Sequence, residues 1–209
     1  MLRLLFATGN SAKLAQLRYV AAAIEAPIVI VSARQTFGEE AAYDEMGSQP
    51  ADVARNGALA VAERLGEPVV TEDTVLQVAA LNGAPGIESG LYLQRHGRDG
   101  LLAALAGPTN RQASITSAVA WATPSGDSQT WVTTVHGIIA PVERWQRGLP
   151  DWIAPTQANP NGGGYNSIFM PDGLYQTLAQ IPPEVALDWG YREPNFCALL
   201  SFVLERQPV

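Results

Sequence analysis

The sequence predicts an α/β fold, a mixed sheet with flanking helices, and two parts of the chain support this prediction. The chain opens with a strand, a helix and a strand, at residues 2–6, 11–24 and 28–31, and the two strands are most simply parallel. Residues 113–122 and 130–139 are rich in Ile, Val, Thr and Trp on either side of a turn, which predicts an antiparallel hairpin. A sheet that contains both kinds of strand pair is mixed.

The other elements follow from apolar spacing and from helix-end signals. Residues 50–65 predict a helix with a tolerated first-turn proline, and Gly66 ends it. Residues 68–78 predict a strand, residues 100–106 a short helix, and residues 193–204 an amphipathic helix. Helices and strands therefore alternate along much of the chain.

A long segment, residues 140–164, lacks clear periodicity and predicts a lid or a binding segment. Trp145 and Trp152 in this segment either stack on a base or pin the segment to the core. The segment ends in a Gly-rich run, residues 162–164, before a short predicted strand.

Composition narrows the class of protein. The 209 residues, 47% of them hydrophobic, suit a single domain over 1–209 or a closely joined pair of lobes. A net charge of −7 argues against a nucleic acid as the main partner, since proteins that bind nucleic acids present a basic face. Cys197 is the only cysteine, so no disulfide framework is expected. No apolar run reaches the length of a membrane span and no signal peptide precedes the first strand, so we expect a cytoplasmic protein without a membrane partner.

The segment from Ala7 to Lys13 links the first strand to the first helix through a glycine turn. This arrangement points backbone N–H groups at an anion. Thr8, Asn10 and Lys13 add a hydroxyl, an amide and an ammonium group, and Ser11 is a possible N-cap of the helix. Lys13 is the only lysine in the chain. The segment therefore predicts a phosphate site, and the alternative is an ordinary surface lysine in a first helical turn.

Two acidic stretches predict a metal site. Glu72 and Asp73 follow an apolar strand, and burying two neighbouring carboxylates is costly unless a cation or hydrogen bonds compensate them. Oxygen ligands of this kind suit Mg²⁺, which commonly takes one or two carboxylates together with phosphate oxygens and waters. The alternative is an exposed acidic turn. Residues 37–47 form a second acidic stretch, which either supplies one carboxylate to the cation or is a solvated surface.

The order of these features resembles the inosine/xanthosine triphosphate pyrophosphatase family nearly from end to end. Four stretches carry the resemblance, namely residues 8–13 (Thr-Gly-Asn-Ser-Ala-Lys), 71–74 (Thr-Glu-Asp-Thr), 81–86 (Leu-Asn-Gly-Ala-Pro-Gly) and 164–173 (from Gly-Tyr-Asn to Pro-Asp-Gly). The resemblance implies hydrolysis of non-standard purine nucleoside triphosphates to the monophosphate and pyrophosphate, by metal-assisted attack of water at the α-phosphorus. It also implies two lobes that enclose a central nucleotide cleft, and a homodimer.

The resemblance assigns roles to individual residues. Asp73 is implied as a Mg²⁺ ligand and as the base for the attacking water, with Glu72 supporting it. Asp44 is implied as a further Mg²⁺ ligand, and Glu45 is the neighbouring alternative. The triphosphate is implied to be held by Thr8, Gly9, Asn10 and Lys13, with Lys13 also acting in catalysis, and the nucleotide is implied to touch Thr74.

The second half of the chain departs from the family pattern. Gly163 stands where the family has a phenylalanine, Ala186 where it has a lysine, and Tyr191 where it has a histidine. Tyr165, Asn166 and Tyr191 remain as candidate contacts to the base, and Arg192 remains as a candidate contact to the phosphates. Two alternatives to the family activity therefore stay open. The first is a protein that binds nucleotides with little or no catalysis, and the second is an enzyme that hydrolyses a different modified nucleotide.

Overall fold

The computed structural model describes residues 2–206, and in this part of the chain it contains seven β-strands and six α-helices. The strands are ordered β2-β1-β3-β5-β6-β7, and β4 also pairs with β3. The helices are α1 (Ser11–Ala23), α2 (Ala33–Phe37), α3 (Pro50–Leu65), α4 (Ser89–Ala104), α5 (Pro183–Trp189) and α6 (Glu193–Glu205). The strands are β1 (Leu2–Phe6), β2 (Ile28–Ser32), β3 (Val69–Val78), β4 (Pro85–Gly86), β5 (Gln112–Ala122), β6 (Ser128–Ile139) and β7 (Phe169–Pro171).

The predicted mixed α/β sheet is confirmed. β1 runs parallel to β2, from Leu2 opposite Ile28 onward, and parallel to β3, where Leu5 lies opposite Val69. β4 pairs antiparallel with β3, and β7 pairs antiparallel with β6. The cleft between two lobes stays a prediction.

Two expectations about helices were wrong. The helix predicted at residues 100–106 is the second half of α4, which begins at Ser89 and is interrupted at Gly97. Gly97 has φ 64° and ψ −174°, which breaks the helical path between the two halves of α4, so only the second half was predicted as a helix. The short helix α2 was not foreseen, because Ser32 begins it by accepting the backbone N–H of Gln35 directly after a strand.

The chain divides into two compact units, each made of separate segments. Unit 1 consists of residues up to Asp73, of Ser117–Thr133 and of residues from Arg192 onward; unit 2 consists of Thr74–Thr116 and Thr134–Tyr191. A single domain over 1–209 stays a prediction. No helix within residues 2–206 is both long and apolar enough to cross a bilayer.

The core of unit 1 is rich in alanine, which lets helix α3 lie close to the sheet. A β-carbon on Gly57 of α3 would overlap the ring of Tyr43, so the ring occupies the place that a side chain would take. Arg64 of the same helix donates to the carbonyls of Glu40 and Ala42 at 2.9 and 2.7 Å. Helix α3 therefore holds the second acidic stretch, residues 37–47, in a defined conformation. The alanines of this core are Ala7, Ala33, Ala41, Ala54, Ala58, Ala62, Ala118, Ala120 and Ala122.

Unit 2 holds its Gly-rich segment through one buried arginine. Arg98 of α4 is 7% exposed and pairs with Glu143, and its Nη1 donates to the carbonyl of Gly164 at 2.7 Å. Ser167 Oγ also donates to the Glu143 carboxylate, at 2.7 Å. Trp152 is 5% exposed and Trp145 is 44% exposed, so Trp152 fits the expectation of a residue that pins the long segment to the core.

Candidate functional site

The loop between β1 and α1 is organised by its own side chains. Asn10, and not Ser11, is the N-cap of α1, since Asn10 Oδ1 accepts the backbone N–H groups of Ala12 and Lys13 at 2.9 and 3.3 Å. Thr8 Oγ1 accepts the N–H of Asn10 at 3.1 Å. Thr8 and Asn10 therefore shape the loop, and their contact with a triphosphate stays a prediction. The expectation that Ser11 caps the helix was wrong because the longer Asn10 side chain reaches both amides from one position earlier.

The ends of the parallel strands bring this loop beside Glu72. Ala7 N–H donates to the carbonyl of Val70 at 2.8 Å, so the chain leaving β1 stays paired with β3 up to the acidic residues. Ligand sites of α/β proteins lie at the carboxyl ends of parallel strands. Lys13, in the first turn of α1, therefore reaches Glu72.

Glu72 is the centre of a buried ionic cluster. Lys13 Nζ lies 2.6 Å from Glu72 Oε2 and also donates to the Glu72 carbonyl at 3.1 Å. Arg192 Nε lies 3.0 Å from Glu72 Oε1, and Ser117 Oγ donates to the same oxygen at 2.8 Å. The Glu72 side chain is fully buried, whereas 18% of the Lys13 side chain is exposed. Two cations therefore stabilise one buried carboxylate, and Lys13 retains access to solvent.

Two residues that were not predicted from the sequence, Gln16 and Glu193, form hydrogen bonds with Arg192. Gln16 of α1 lies three residues after Lys13, on the same face of the helix, and is 4% exposed. Glu193 is 2% exposed and accepts Gln16 Nε2 at 2.6 Å. Burial raises the pKa of the Glu193 carboxyl above its ordinary value, and the hydrogen bond from Gln16 opposes that shift. The helical spacing from Lys13 was the signal that could have found Gln16, whereas no pattern in the sequence pointed to Glu193.

The charge of Asp73 acts on the hydroxyl of Tyr43, together with the charges of Glu72 and Glu45. Burial, followed by the charges of Glu72, Glu45 and Asp73, raises the pKa of the Tyr43 hydroxyl above its ordinary value. Asp73 is half-buried, and Asp44 and Glu45 are less buried than Glu72. Within residues 2–206, no three His, Cys, Asp or Glu side chains lie close enough together to form a protein-only metal site. The donors suit a cation that takes one or two carboxylates and completes its shell with phosphate oxygens and waters.

Tyr191 and Asn166 form a hydrogen bond with each other, and Asn166 and Tyr165 donate to the backbone of unit 2. Tyr191 Oη donates to Asn166 Oδ1 at 3.1 Å, and Asn166 Nδ2 donates to the carbonyl of Ile153 at 3.2 Å. Tyr165 Oη donates to the carbonyl of Ser89 at 2.9 Å, and burial raises the pKa of this hydroxyl. All three side chains are buried, so they form the frame of this segment, and their contact with a base stays a prediction.

The glycine that replaces the expected aromatic residue is required by its surroundings. Gly163 has φ +68°, and a β-carbon there would overlap the carbonyl of Ile153. Its own N–H donates to the carbonyl of Asp151 at 2.6 Å. This backbone has no room for an aromatic side chain at position 163. Ala186, where the resemblance implies a lysine, is buried in α5.

Comparison with known proteins supports one family over nearly the whole chain. The model of the Ham1 family matches residues 4–202. A dITP/XTP pyrophosphatase of Methanopyrus kandleri is 32% identical over 184 residues, which cover 88% of this chain and 86% of that protein. A dITP/XTP pyrophosphatase of Streptomyces coelicolor is 32% identical over 212 residues, which cover 98% of each chain.

Solved structures show the same fold. The Ham1 protein of Staphylococcus aureus matches with a TM-score of 0.75 at 23% identity, over 98% of this chain and 100% of that chain. The nucleoside-triphosphatase / dITP/XTP pyrophosphatase of Mycobacterium abscessus matches with a TM-score of 0.66 at 31% identity, over 95% of this chain and 99% of that chain.

Proposed function

This chain belongs to the Ham1 family, as the match over residues 4–202 shows, and we propose on that premise that it hydrolyses non-standard purine nucleoside triphosphates to the monophosphate and pyrophosphate. The family resemblance of its motifs is confirmed, and its curated relatives are named dITP/XTP pyrophosphatases. The observation that carries the proposal is the cluster in which Lys13 and Arg192 flank Glu72 beside Asp73.

The proposed mechanism assigns the phosphates to the cations and the water to Asp73. Lys13 and Arg192 neutralise charge on the triphosphate, because fixed cations in a site shielded from solvent act more strongly than in water. Asp73 accepts the proton of the water that attacks the α-phosphorus, and pyrophosphate leaves. Glu72 holds both cations in place between turnovers, and Thr74 contacts the nucleotide. Positioning and electrostatics supply most of the rate in phosphoryl chemistry of this kind.

We propose Mg²⁺ as the cofactor, since the carboxylates present are hard oxygen donors. Asp73 would hold it, with one of Glu72, Asp44 and Glu45 as a second carboxylate and with phosphate oxygens and waters as the remaining ligands. Glu72 is the least available of these, because its oxygens already pair with Lys13, Arg192 and Ser117. The ion would supply charge neutralisation at the phosphates. We further propose a cytoplasmic homodimer, in keeping with the family expectation.

A panel of nucleotides tests the proposed activity. Pyrophosphate release should be greatest with inosine and xanthosine triphosphates or their deoxy forms, weaker with ordinary triphosphates, and absent without Mg²⁺. The lack of room for an aromatic side chain at Gly163, where the family resemblance implies one, favours one alternative, hydrolysis of a different modified nucleotide. A preference for another modified base would support that alternative. Binding without release from any nucleotide would refute the enzymatic proposal.

The substitution Gly9→Ala tests the phosphate loop without disturbing the fold. A β-carbon on Gly9 meets no atom within 4 Å, so we expect an unchanged melting temperature. The added methyl group would stand where the backbone must approach a phosphate closely, and KM for the triphosphate should rise about tenfold. Unchanged steady-state kinetics would exclude Gly9 from the site. Gly107→Ala, in the loop before β5, is the matched control, because a β-carbon there also meets no atom within 4 Å.

A further inference from the structure

A ring of buried hydrogen bonds connects the side chain of Arg192 to its own backbone, and the proposed reaction makes no use of it. Arg192 Nη1 donates to Gln16 Oε1 at 3.4 Å, and Gln16 Nε2 donates to Glu193 Oε1 at 2.6 Å. The other carboxylate oxygen, Glu193 Oε2, accepts the backbone N–H of Arg192 at 3.2 Å. The side chains of Gln16 and Glu193 therefore close the ring.

Gln16 has a single amide orientation that satisfies both of its neighbours. A guanidinium only donates hydrogen bonds. The amide oxygen of Gln16 must therefore face Arg192, which leaves the amide nitrogen to face Glu193. Gln16 thus links the position of the Glu193 carboxylate to the position of the Arg192 guanidinium.

Burying the polar side chains of this ring costs free energy. Glu193 is 2% exposed, and a buried carboxylate costs free energy that apolar packing at the same place would avoid. What the ring provides is a fixed guanidinium: Arg192 is held at Nε by Glu72 and at Nη1 by Gln16. A long side chain that is ordered before its ligand arrives loses less conformational entropy on binding.

We infer that Gln16 and Glu193 are positioning residues, which hold the Arg192 guanidinium so that Arg192 and Lys13 form a preorganised pair of cations for the phosphates of the substrate. This inference rests on the proposed function. Gln16 and Glu193 act only through Arg192 and do not themselves contact the substrate. Their effect should therefore depend on the presence of Arg192.

A double-mutant cycle measures that dependence. Gln16→Met keeps the length of the side chain and removes both hydrogen bonds, and Glu193→Gln replaces one of the two acceptors with a donor. Each change should raise Kd and KM for the triphosphate about tenfold, as expected for a lost charge-assisted contact, and should leave nucleoside affinity unchanged. In an Arg192→Met background, the same changes should add less than about twofold.

Thr133→Val is the matched control. It removes a hydrogen bond of 2.8 Å between Thr133 Oγ1 and Asn195 Oδ1, which ties β6 to the same helix α6 outside the ring. We expect a lower melting temperature and a triphosphate Kd within about twofold of the parent. A comparable rise in Kd for Thr133→Val would show that loss of stability alone explains the effect.

A nuclear magnetic resonance measurement tests the inference without an activity assay. It also decides the question if the Arg192→Met variant does not fold. The Nη–H resonances of Arg192, assigned by their absence from Arg192→Lys, should be resolved and protected from exchange in the parent and in Thr133→Val, because Gln16 accepts a hydrogen bond from Nη1. They should lose protection in Gln16→Met. Equal protection in Gln16→Met and the parent, or a tenfold effect on Kd that persists without Arg192, would overturn the inference. A parent protein that neither binds nor hydrolyses triphosphates would refute the proposed function instead, and the resonances would still decide whether Gln16 positions Arg192.

Discussion

Asp73→Asn is expected to lower the rate of pyrophosphate release about 10³-fold, within the range of roughly 10²–10⁴ that general base catalysis typically contributes. Asparagine keeps the size of the side chain but cannot accept a proton from the attacking water. At saturating Mg²⁺, triphosphate binding should change much less, because Lys13 and Arg192 remain in place around Glu72 and the amide oxygen of asparagine can still bind the cation. The loss should therefore appear in kcat and only weakly in KM.

Single-turnover release of pyrophosphate at saturating triphosphate and Mg²⁺ measures this effect. Asp127→Asn is the matched control, because Asp127 is an exposed carboxylate of the same unit in the turn between β5 and β6. The control should retain full activity. If Asp73→Asn retained the parental rate while binding substrate normally, Asp73 would not be the base.

Lys13→Ala is expected to weaken triphosphate affinity by about 1–3 kcal/mol, the usual value of a hydrogen bond to a charged group left unmade. The Lys13 side chain is partly exposed to solvent beside a buried carboxylate, so it is well placed to turn toward an incoming phosphate. Its loss leaves Glu72 compensated by Arg192 and Ser117, and the fold should survive. Nucleoside affinity should change less than triphosphate affinity.

Titration calorimetry with the triphosphate and with the matching nucleoside separates the two contributions. Arg18→Ala is the control from the same helix, since Arg18 donates to the carbonyl of Ile30 at 3.1 Å. It should affect stability and leave the triphosphate Kd unchanged. Equal triphosphate affinity in Lys13→Ala and the parent would exclude a phosphate contact by Lys13.

The parts of the site that the sequence predicted are those determined by local chain order. The glycine loop before α1 could be predicted because strand, turn and helix follow one another within residues 2–23. The Glu72–Asp73 pair could be predicted because two adjacent carboxylates within a largely apolar strand are unusual. The parallel pairing of β1 with β3 then brings the two features together, and this follows from ordinary α/β topology.

The parts that the sequence did not predict depend on contacts between distant segments. Nothing local to Glu193 marks it as buried, because its partner Gln16 lies 177 residues earlier in the chain. Tyr43 lies near the carboxylates because Gly57 of α3 leaves space for its ring, and a lone glycine in a helix does not indicate such a contact. Asn10 rather than Ser11 caps α1, since both residues are good caps and only the backbone geometry separates them.

Gly163 limits the substitutions that this segment can accept. An aromatic residue there would meet both the left-handed backbone and the carbonyl of Ile153, and would destabilise the fold. Engineering an aromatic residue into position 163 therefore requires a second change that moves the facing backbone. Substitutions intended to alter base preference are better placed at positions that can vary without moving that backbone.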